Sequence, residues 1–339
     1  MPNPSNFVAG FCPNVQETLV DIAGCAAPQF KRGRHGFVES LKSPLNVTGH
    51  KQLNFGSGKN HNVQLFYVPR ALTTDVTVGT TMPLCNVGGI RPKPLDQIIN
   101  VSRSAYYDMS FDQNDMRRIC QADTQFIKDN VLGSFEAIIK KINIDLLAIA
   151  LANIGQYEDG SVTKTFNILT GVPPQMNWDG ISDMSYEYQL IQGCGLPILV
   201  GGKRSWELYK MGKIGCCNNQ GIDVSKSLDD FFFFNDQEIE TSLGANNNIL
   251  YEPGAYQFME WFENVGDYEM LNSEIHQATT IVDPSTNMTF DMLVDYKHEC
   301  REYHVRIYKW YDLFTIPTDA FAVGDPLAGV RGTLRAVLT

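Results

Sequence analysis

The sequence is short of charge, and shorter still of positive charge. Charged residues fill 19% of its 339 positions, below the usual ~25%. The 27 Lys and Arg are outnumbered by 38 Asp and Glu, for a net charge of -11. Gripping nucleic acid depends on Lys and Arg neutralising phosphates, so the balance argues against that as the main task. No CxxC pair occurs among the eight cysteines (Cys12, Cys25, Cys85, Cys120, Cys194, Cys216, Cys217, Cys300), and no spacing matches a zinc site. Adjacent Cys216 and Cys217 cannot bond to each other without strain. The set suits reduced thiols in a cytosol better than a disulfide framework. No apolar run is long enough to span a bilayer. The opening residues, Met1 to Asn6, show no basic region followed by an apolar run, so no secretory leader is expected. The sequons at Asn46, Asn100 and Asn287 are then incidental. A soluble, cytosolically made protein is expected.

What remains is rich in core-forming material: 43% apolar and 11% aromatic residues. The length sets a prior of about two domains. So few charges leave little to coat an isolated surface, which favours burial against partners. One basic cluster stands out, Lys31, Arg32, Arg34 and His35. It reads either as a solvated turn around Gly33 and Gly36 or as an arm touching an acidic neighbour or nucleic acid.

Up to about Phe111 the chain is rich in Gly, Pro, Asn, Thr and Val, with little helical periodicity. Asn62–Val68, preceded by the turn Gly56–Asn60, and a segment within Thr73–Thr80 read as strands of an extended hairpin, with β-branched and aromatic residues between turn signals. Pro69, Pro83, Pro92 and Pro94 prevent one continuous sheet. An N-terminal third this extended is expected to form arms that reach outwards. From Gln113 to Ile154 there is no proline and one internal glycine, Gly133. Ile119, Phe126, Val131, Phe135, Ile138, Ile142, Leu146 and Ile149 recur mostly at three to four residues, the stripe of a long helix. Asp112 or Asn114 can cap its start and Gly155 its end. A helix over 113–154 would run roughly 60 Å. Its stripe drifts and its flanks hold Asn, Ser, Gln and Ala, which disfavours a coiled coil and predicts a helix laid across a sheet.

A mixed α/β region is expected over about 157–267. It holds a buried strand and turn at Leu196–Gly202, a helix at Ser205–Met211, a strand end and turn at Leu250–Ala255, and a helix from Tyr256 to about Asn264. The end is β again: a hairpin of Thr279–Val282 with Met288–Val294 across a Pro284 turn, then a long strand over His304–Phe314. Val305, Ile307, Tyr311 and Leu313 share one of its faces.

Catalytic and binding motifs are missing. Gly56-Ser57-Gly58-Lys59 superficially suggests a phosphate loop, but the spacing is wrong, Asn60 follows, and no helix does. His298, Cys300 and His304 would face one side of a continuous strand, too spread out to converge on one metal ion. Asp229-Asp230 and Asp291/Asp295 read as turn and solvent-face carboxylates. The run Phe231–Phe234 reads as core, with a subunit contact as the alternative. No catalytic residue, cofactor site or metal site is expected, and the chain is read as no enzyme.

The order of segments resembles the major capsid protein of tailed bacteriophages. Phe135–Leu147 is similar to the end of that family's spine helix, and Leu250-Tyr251-Glu252-Pro253-Gly254-Ala255 to its axial-domain turn. Ile281–Pro284 with Met288–Asp291, and Tyr311–Pro317, resemble its closing strands. The resemblance implies an α+β Hong Kong 97-type capsid fold. Its parts would be an N-terminal arm (1–45), an extended β-hairpin loop (46–105), a peripheral domain with spine helix (106–189, helix 113–154), an axial domain (190–265) and peripheral C-terminal strands (266–339). It implies a homo-oligomer of hexamers and pentamers forming an icosahedral shell around double-stranded DNA, which the acidic chain would contact weakly. A separate scaffolding protein, a portal and decoration proteins are the implied partners, with no membrane. The implied place is the virion capsid, assembled in the host bacterial cytoplasm. Lys31, Arg32, Arg34, Lys59, Asn60, Glu252, Pro253 and Gly254 are the implied inter-subunit contacts. Lys59 sits near a hairpin tip, where one member type carries a cross-linking lysine. No partner Asn or catalytic Glu can be identified, so no cross-link is inferred. Two alternatives remain: an encapsulin-like compartment enclosing protein cargo, and a cytosolic α/β enzyme.

Overall fold

A computed structural model describes residues 35–46, 50–53, 62–67, 95–112, 124–170, 175–191, 195–214, 231–244, 246–261, 276–283, 286, 288–297, 299–300, 302–315, 329 and 331–339. The chain divides into two compact units. One takes 1–42, 101–146 and 259–312; the other takes 43–100, 147–258 and 313–339.

The first unit is built on a sheet whose strands alternate as the sequence does. Strand β12 (His276–Asp283) pairs antiparallel with β13 (Met288–Lys297), Asp283 opposite Met288, so the expected hairpin forms. Strand β14 (Glu302–Thr315) pairs with β13, and Met292 and Val294 meet Ile307 and Val305. The same face buries Tyr303, Tyr311 and Leu313. Strand β4 (Arg103–Asp112) lies along β14, from Arg103 opposite Tyr311 to Asp112 opposite Glu302. Asp112 therefore ends a strand instead of capping a helix, and Asn114 lies outside the described residues. Strand β11 (Tyr256–Trp261) joins β14 as well. The expected helix from Tyr256 is thus a strand. Tyr, Phe, Met and Trp in six residues favour a pleated, half-buried surface, and that preference wins.

Across the sheet lies helix α2 (Thr124–Ala152), 29 residues or roughly 43 Å. Residues 113–123 are outside the described part of the expected helix. Val131, Phe135, Ile138, Ile139, Ile142 and Leu146 are buried, at the spacing the sequence predicts. Phe135 stacks on Phe290 of β13 at 4.8 Å between ring centres. The helix stops close to the expected Gly155. The Asn153 side chain donates to Ile149 O (2.9 Å), and the Gly155 amide leaves the helix for Thr333.

Helix α1 (Gly36–Lys42) was not anticipated. Residues 1–34, most of the expected arm, lie outside the described residues; just after them Phe37, Val38 and Leu41 are buried, with His35 only 3% exposed. His35 and Gly36 therefore do not belong to a solvated turn. Seven residues are too few for a helical period to show in the sequence.

The second unit centres on a sheet in the order β5-β15-β10-β8-β9. These strands are β5 (Thr163–Phe166), β8 (Ile198–Gly201), β9 (Phe232–Asn235), β10 (Asn247–Tyr251) and β15 (Thr333–Leu338). One sheet thus gathers strands from three of the segments the resemblance implies. Its core holds Tyr157, Phe166, Ile181, Met184, Leu199, Leu208, Leu250 and Leu338. Phe231 is buried in that core and Phe233 packs against it, while Phe232 and Phe234 are half-buried on an edge strand. Helix α3 (Trp178–Leu190), capped by Asn177, supplies Ile181 and Met184. Helix α4 (Lys203–Ile214) contains the expected Ser205–Met211, and α5 (Gln237–Leu243) starts at Asp236, whose carboxylate accepts from the amides of Glu238 and Ile239. The short pair β6 (Leu169–Thr170) and β7 (Gln175–Met176) stands apart. Strands β1 (His50–Leu53), β2 (Asn62–Tyr67) and β3 (Leu95–Asn100) form a separate antiparallel sheet, placing the expected Asn62 strand at its centre. Thr73–Thr80 is outside the described residues.

Among the described residues no helix is long and apolar enough to cross a membrane.

Candidate functional site

Three arrangements of polar and aromatic side chains stand out among the described residues. The first is a groove of about 550 Å³ along β4 and the exposed side of α2, lined by Arg103, Tyr106, Tyr107, Ala137, Lys141 and Tyr311 among others. Arg103 donates to both oxygens of Asp145 (3.0 and 2.8 Å), which also accepts from the Tyr311 hydroxyl (3.0 Å). Burial and the Asp145 charge push the Tyr311 hydroxyl up, so it stays a donor. Outside these bonds β4 is exposed: Tyr106 at 63% and Tyr107 at 44%. Arg306 lies over the Tyr106 ring and pairs with Asp108 (2.6 and 3.1 Å). None of this was legible in the sequence, because Tyr106 and Tyr107 are strand-forming aromatics that ordinarily go inside.

The second arrangement is buried charge. Lys309 is 0% exposed on the apolar face of β14, between Ile307 and Tyr311. Opposite it on β4 stands Ala105, small enough to leave the lysine stem room. Its ammonium donates to Glu260 Oε2 at 2.6 Å, and Lys42 pairs with the other oxygen of the same carboxylate. Burial pushes the Glu260 carboxyl up, and the two ammonium groups outweigh that and hold it below its ordinary value. Burial pulls Lys309 below its ordinary value, partly offset by Glu260. Asp291, expected on a turn or solvent face, is also fully buried.

The third is the turn Glu252-Pro253-Gly254 between β10 and β11, all three residues half-buried. Asn46 grips it from both sides: its Oδ1 accepts from the Gly254 amide (2.8 Å) and its Nδ2 donates to Tyr256 O (2.9 Å). Gly254 has a φ of 92°, which glycine alone adopts freely. The Glu252 side chain lies against Gly332, itself at φ 64°; a Cβ there would stand 2.1 Å from Glu252 Oε1. Gly332→Ala is therefore expected to cost about 1–3 kcal/mol, from strain at a left-handed residue plus displacement of Glu252. Urea unfolding followed through the second unit checks it, and an unchanged midpoint would contradict the geometry.

Of the residues picked out from the sequence, Glu252, Pro253 and Gly254 come together in this turn. Lys31, Arg32, Arg34, Lys59 and Asn60 lie outside the described residues, as does His298. The strand expected to carry His298, Cys300 and His304 is broken: β13 ends at Lys297, Glu299 and Cys300 form a turn, and β14 starts at Glu302. Among the described residues no three His, Cys, Asp or Glu side chains are placed to hold a metal ion.

No protein-family model matches the chain, and no curated protein does. Solved structures do. The chain is similar to a structure of the cyanophage A-1(L) capsid asymmetric unit at 10% identity and a TM-score of 0.58, covering 92% of this chain and 94% of that one. A structure from Mycobacterium phage Adephagia matches at 13% identity and a TM-score of 0.47, over 94% and 92% of the two chains. The capsid structure of cyanophage P-SCSP1u matches at 7% and 0.46, over 88% and 91%. Over 92% of its length the mixed helix-and-sheet chain therefore shares the fold of the cyanophage A-1(L) capsid structure.

Proposed function

We propose that the chain is a capsid shell subunit and no enzyme. The observation that supports this best is the likeness to the cyanophage A-1(L) capsid structure over nine-tenths of both chains. In this reading the protein assembles as hexamers and pentamers into an icosahedral shell around double-stranded DNA, with the arm, extended loop, spine helix, peripheral and axial domains of a Hong Kong 97-type subunit. It would be made in the bacterial host cytoplasm and end in the virion. A scaffolding protein, a portal and decoration proteins are its partners in that scheme. A net charge of -11 suits it, because a shell must hold DNA without binding it tightly. The stretches around Lys31–Arg34 and Lys59-Asn60, and the turn at Glu252–Gly254, are the proposed inter-subunit contacts. Heterologous contacts of that kind close into rings.

Electron microscopy of particles purified from the source, with analysis of their contents, tests the reading. Closed shells containing DNA are expected. Shells filled with a cargo protein would shift the reading to an encapsulin-like compartment. A small monodisperse species that turns over a substrate would overturn it. Lys59→Glu is expected to leave a folded subunit, by circular dichroism, that sediments as unassembled protein. Normal shells from that variant would remove Lys59 from the contacts.

A further inference from the structure

Positive charge is scarce in this chain and unevenly spread. Over 203–213 four cations, Lys203, Arg204, Lys210 and Lys213, meet one carboxylate, Glu207, in a chain of net charge -11. All five lie on helix α4. The roll of that helix is set from its inner side. Ser205 is 3% exposed and its hydroxyl donates to Gly202 O at 2.8 Å, and Leu208 is 0% exposed in the core of the second unit. At 3.6 residues per turn, positions 203, 206, 207 and 210 then turn outwards together, and Lys203, Trp206 and Lys210 are exposed.

Arg204 is already paired, donating to Glu207 at 2.9 Å. Lys203 keeps 67% of its side chain exposed, 3.8 Å from the same carboxylate, and a pair so placed is worth little. Lys210 has the Trp206 ring, its Nζ 4.8 Å from the ring centre. The indole stacks on Tyr209 at 5.7 Å between centres, and Tyr209 tilts against Phe233. An aromatic platform thus steadies the ammonium without cancelling its charge. Glu240 lies beside Gly202 at the start of the helix, about two turns from Lys210. Lys203 and Lys210 stand roughly 10 Å apart along the helix axis. That span covers about three phosphates of one DNA strand, which follow at about 3.4 Å along the duplex.

We propose that this face of α4 is where the subunit touches the phosphate backbone of the double-stranded DNA its shell encloses. The choice of DNA rests on the shell reading; the basic face does not. Two lysines give a weak, sequence-independent contact, and many copies facing one DNA multiply it. The acidic balance of the chain is no obstacle, because salt screens charges beyond about 8–10 Å while α4 acts at contact.

Fluorescence anisotropy of a short mixed-sequence DNA duplex with the full-length chain tests it. Binding is expected to weaken at least about tenfold between about 50 and about 200 mM salt, from a slope of about -0.9 per engaged lysine. Lys203→Gln with Lys210→Gln is expected to keep the wild-type circular dichroism and to lower the size of that slope by about 1.8. Trp206→Leu keeps both charges, so about threefold weaker binding at an unchanged slope is expected. Lys140→Gln with Lys141→Gln, two exposed lysines of the first unit, is expected to change neither. An unchanged slope in the α4 double variant overturns the proposal, as do equal losses in both double variants. Binding to phosphatidylserine vesicles but not to DNA overturns it too. Closed, DNA-filled shells alongside any of these results keep the shell reading and remove the contact; α4-dependent binding by a chain that never closes into shells does the reverse.

Discussion

Glu260→Ala is expected to destabilise the first unit by about 3–5 kcal/mol, the cost of leaving one member of a buried ion pair without its partner. The group that loses this carboxylate is Lys309, 0% exposed and held to Glu260 at 2.6 Å. Removing both charges is a different matter. Glu260→Leu combined with Lys309→Met leaves apolar side chains of similar size, and such replacements are often neutral or stabilising. The double variant is therefore expected to recover most of the loss. Lys42 loses the Glu260 carboxylate in both, but sits nearer solvent, with 23% of its side chain exposed. Urea unfolding followed by amide exchange in β13 and β14 reads all three proteins. A double variant no more stable than Glu260→Ala would show that the pair is not coupled.

The pH dependence has a definite sign. The Glu260 carboxyl is held below its ordinary 4.5. A lowered carboxyl contributes stability that is full above the unfolded value and disappears as pH falls through the folded one. The gap between wild type and Glu260→Ala should close on the acid side of 4.5. Lys309 is lowered from its ordinary 10.5, so the folded chain binds fewer protons than the unfolded one in the window below that value. Its contribution rises with pH across the same window. Lys309→Met should flatten that alkaline rise.

The buried triad shows where sequence reasoning stops. Period-two alternation gave β14 and its apolar face, because Val305, Ile307, Tyr311 and Leu313 fall two apart or four apart. Lys309 occupies the same face and was passed over, since a lone lysine in a strand normally points to water. Nothing local marks it. Its carboxylate partner is 49 positions away in the chain, and the second lysine on that carboxylate is 218 positions from it. Elements whose signal is long and periodic were legible: α2 from Val131 onwards, the β12–β13 hairpin across Pro284, the strand and turn at Leu196–Gly202. Short elements were not. Helix α1 spans two turns, and its neighbours Lys31, Arg32 and Arg34 suggested a solvated run. Tyr256–Trp261 carries both helix-like and strand-like spacings, and pairing with β14 decided for the strand. Exposure of Tyr106 and Tyr107 depends on β4 lying along β14 beside α2, a long-range fact. The candidate site was legible only at Glu252–Gly254, where Pro and Gly announce a turn. What the turn grips, Asn46 and Gly332, is set by the fold.

The second large effect falls on α2. Phe135 is 1% exposed and stacks on Phe290 at 4.8 Å. Truncating such a ring costs about 3–5 kcal/mol, and a carboxylate in its place adds the several kcal/mol needed to bury an unpaired charge or to open the packing around it. A domain has only about 5–15 kcal/mol to lose. Phe135→Asp is therefore expected to abolish folding of the first unit, and Ile142→Asp, at a position 0% exposed, to do the same. Ala137→Asp is the control. It lies on the same helix between Phe135 and Ile138, on the exposed side, where the change costs only about 0.7 kcal/mol of helix propensity. Far-UV circular dichroism and size exclusion of the soluble fraction separate the outcomes. Phe135→Asp should be absent from that fraction or lack exchange protection in β13, while Ala137→Asp should keep it. If both variants behave alike, the apolar stripe is not what holds α2 to its sheet. If only Ala137→Asp fails, the helix faces the other way.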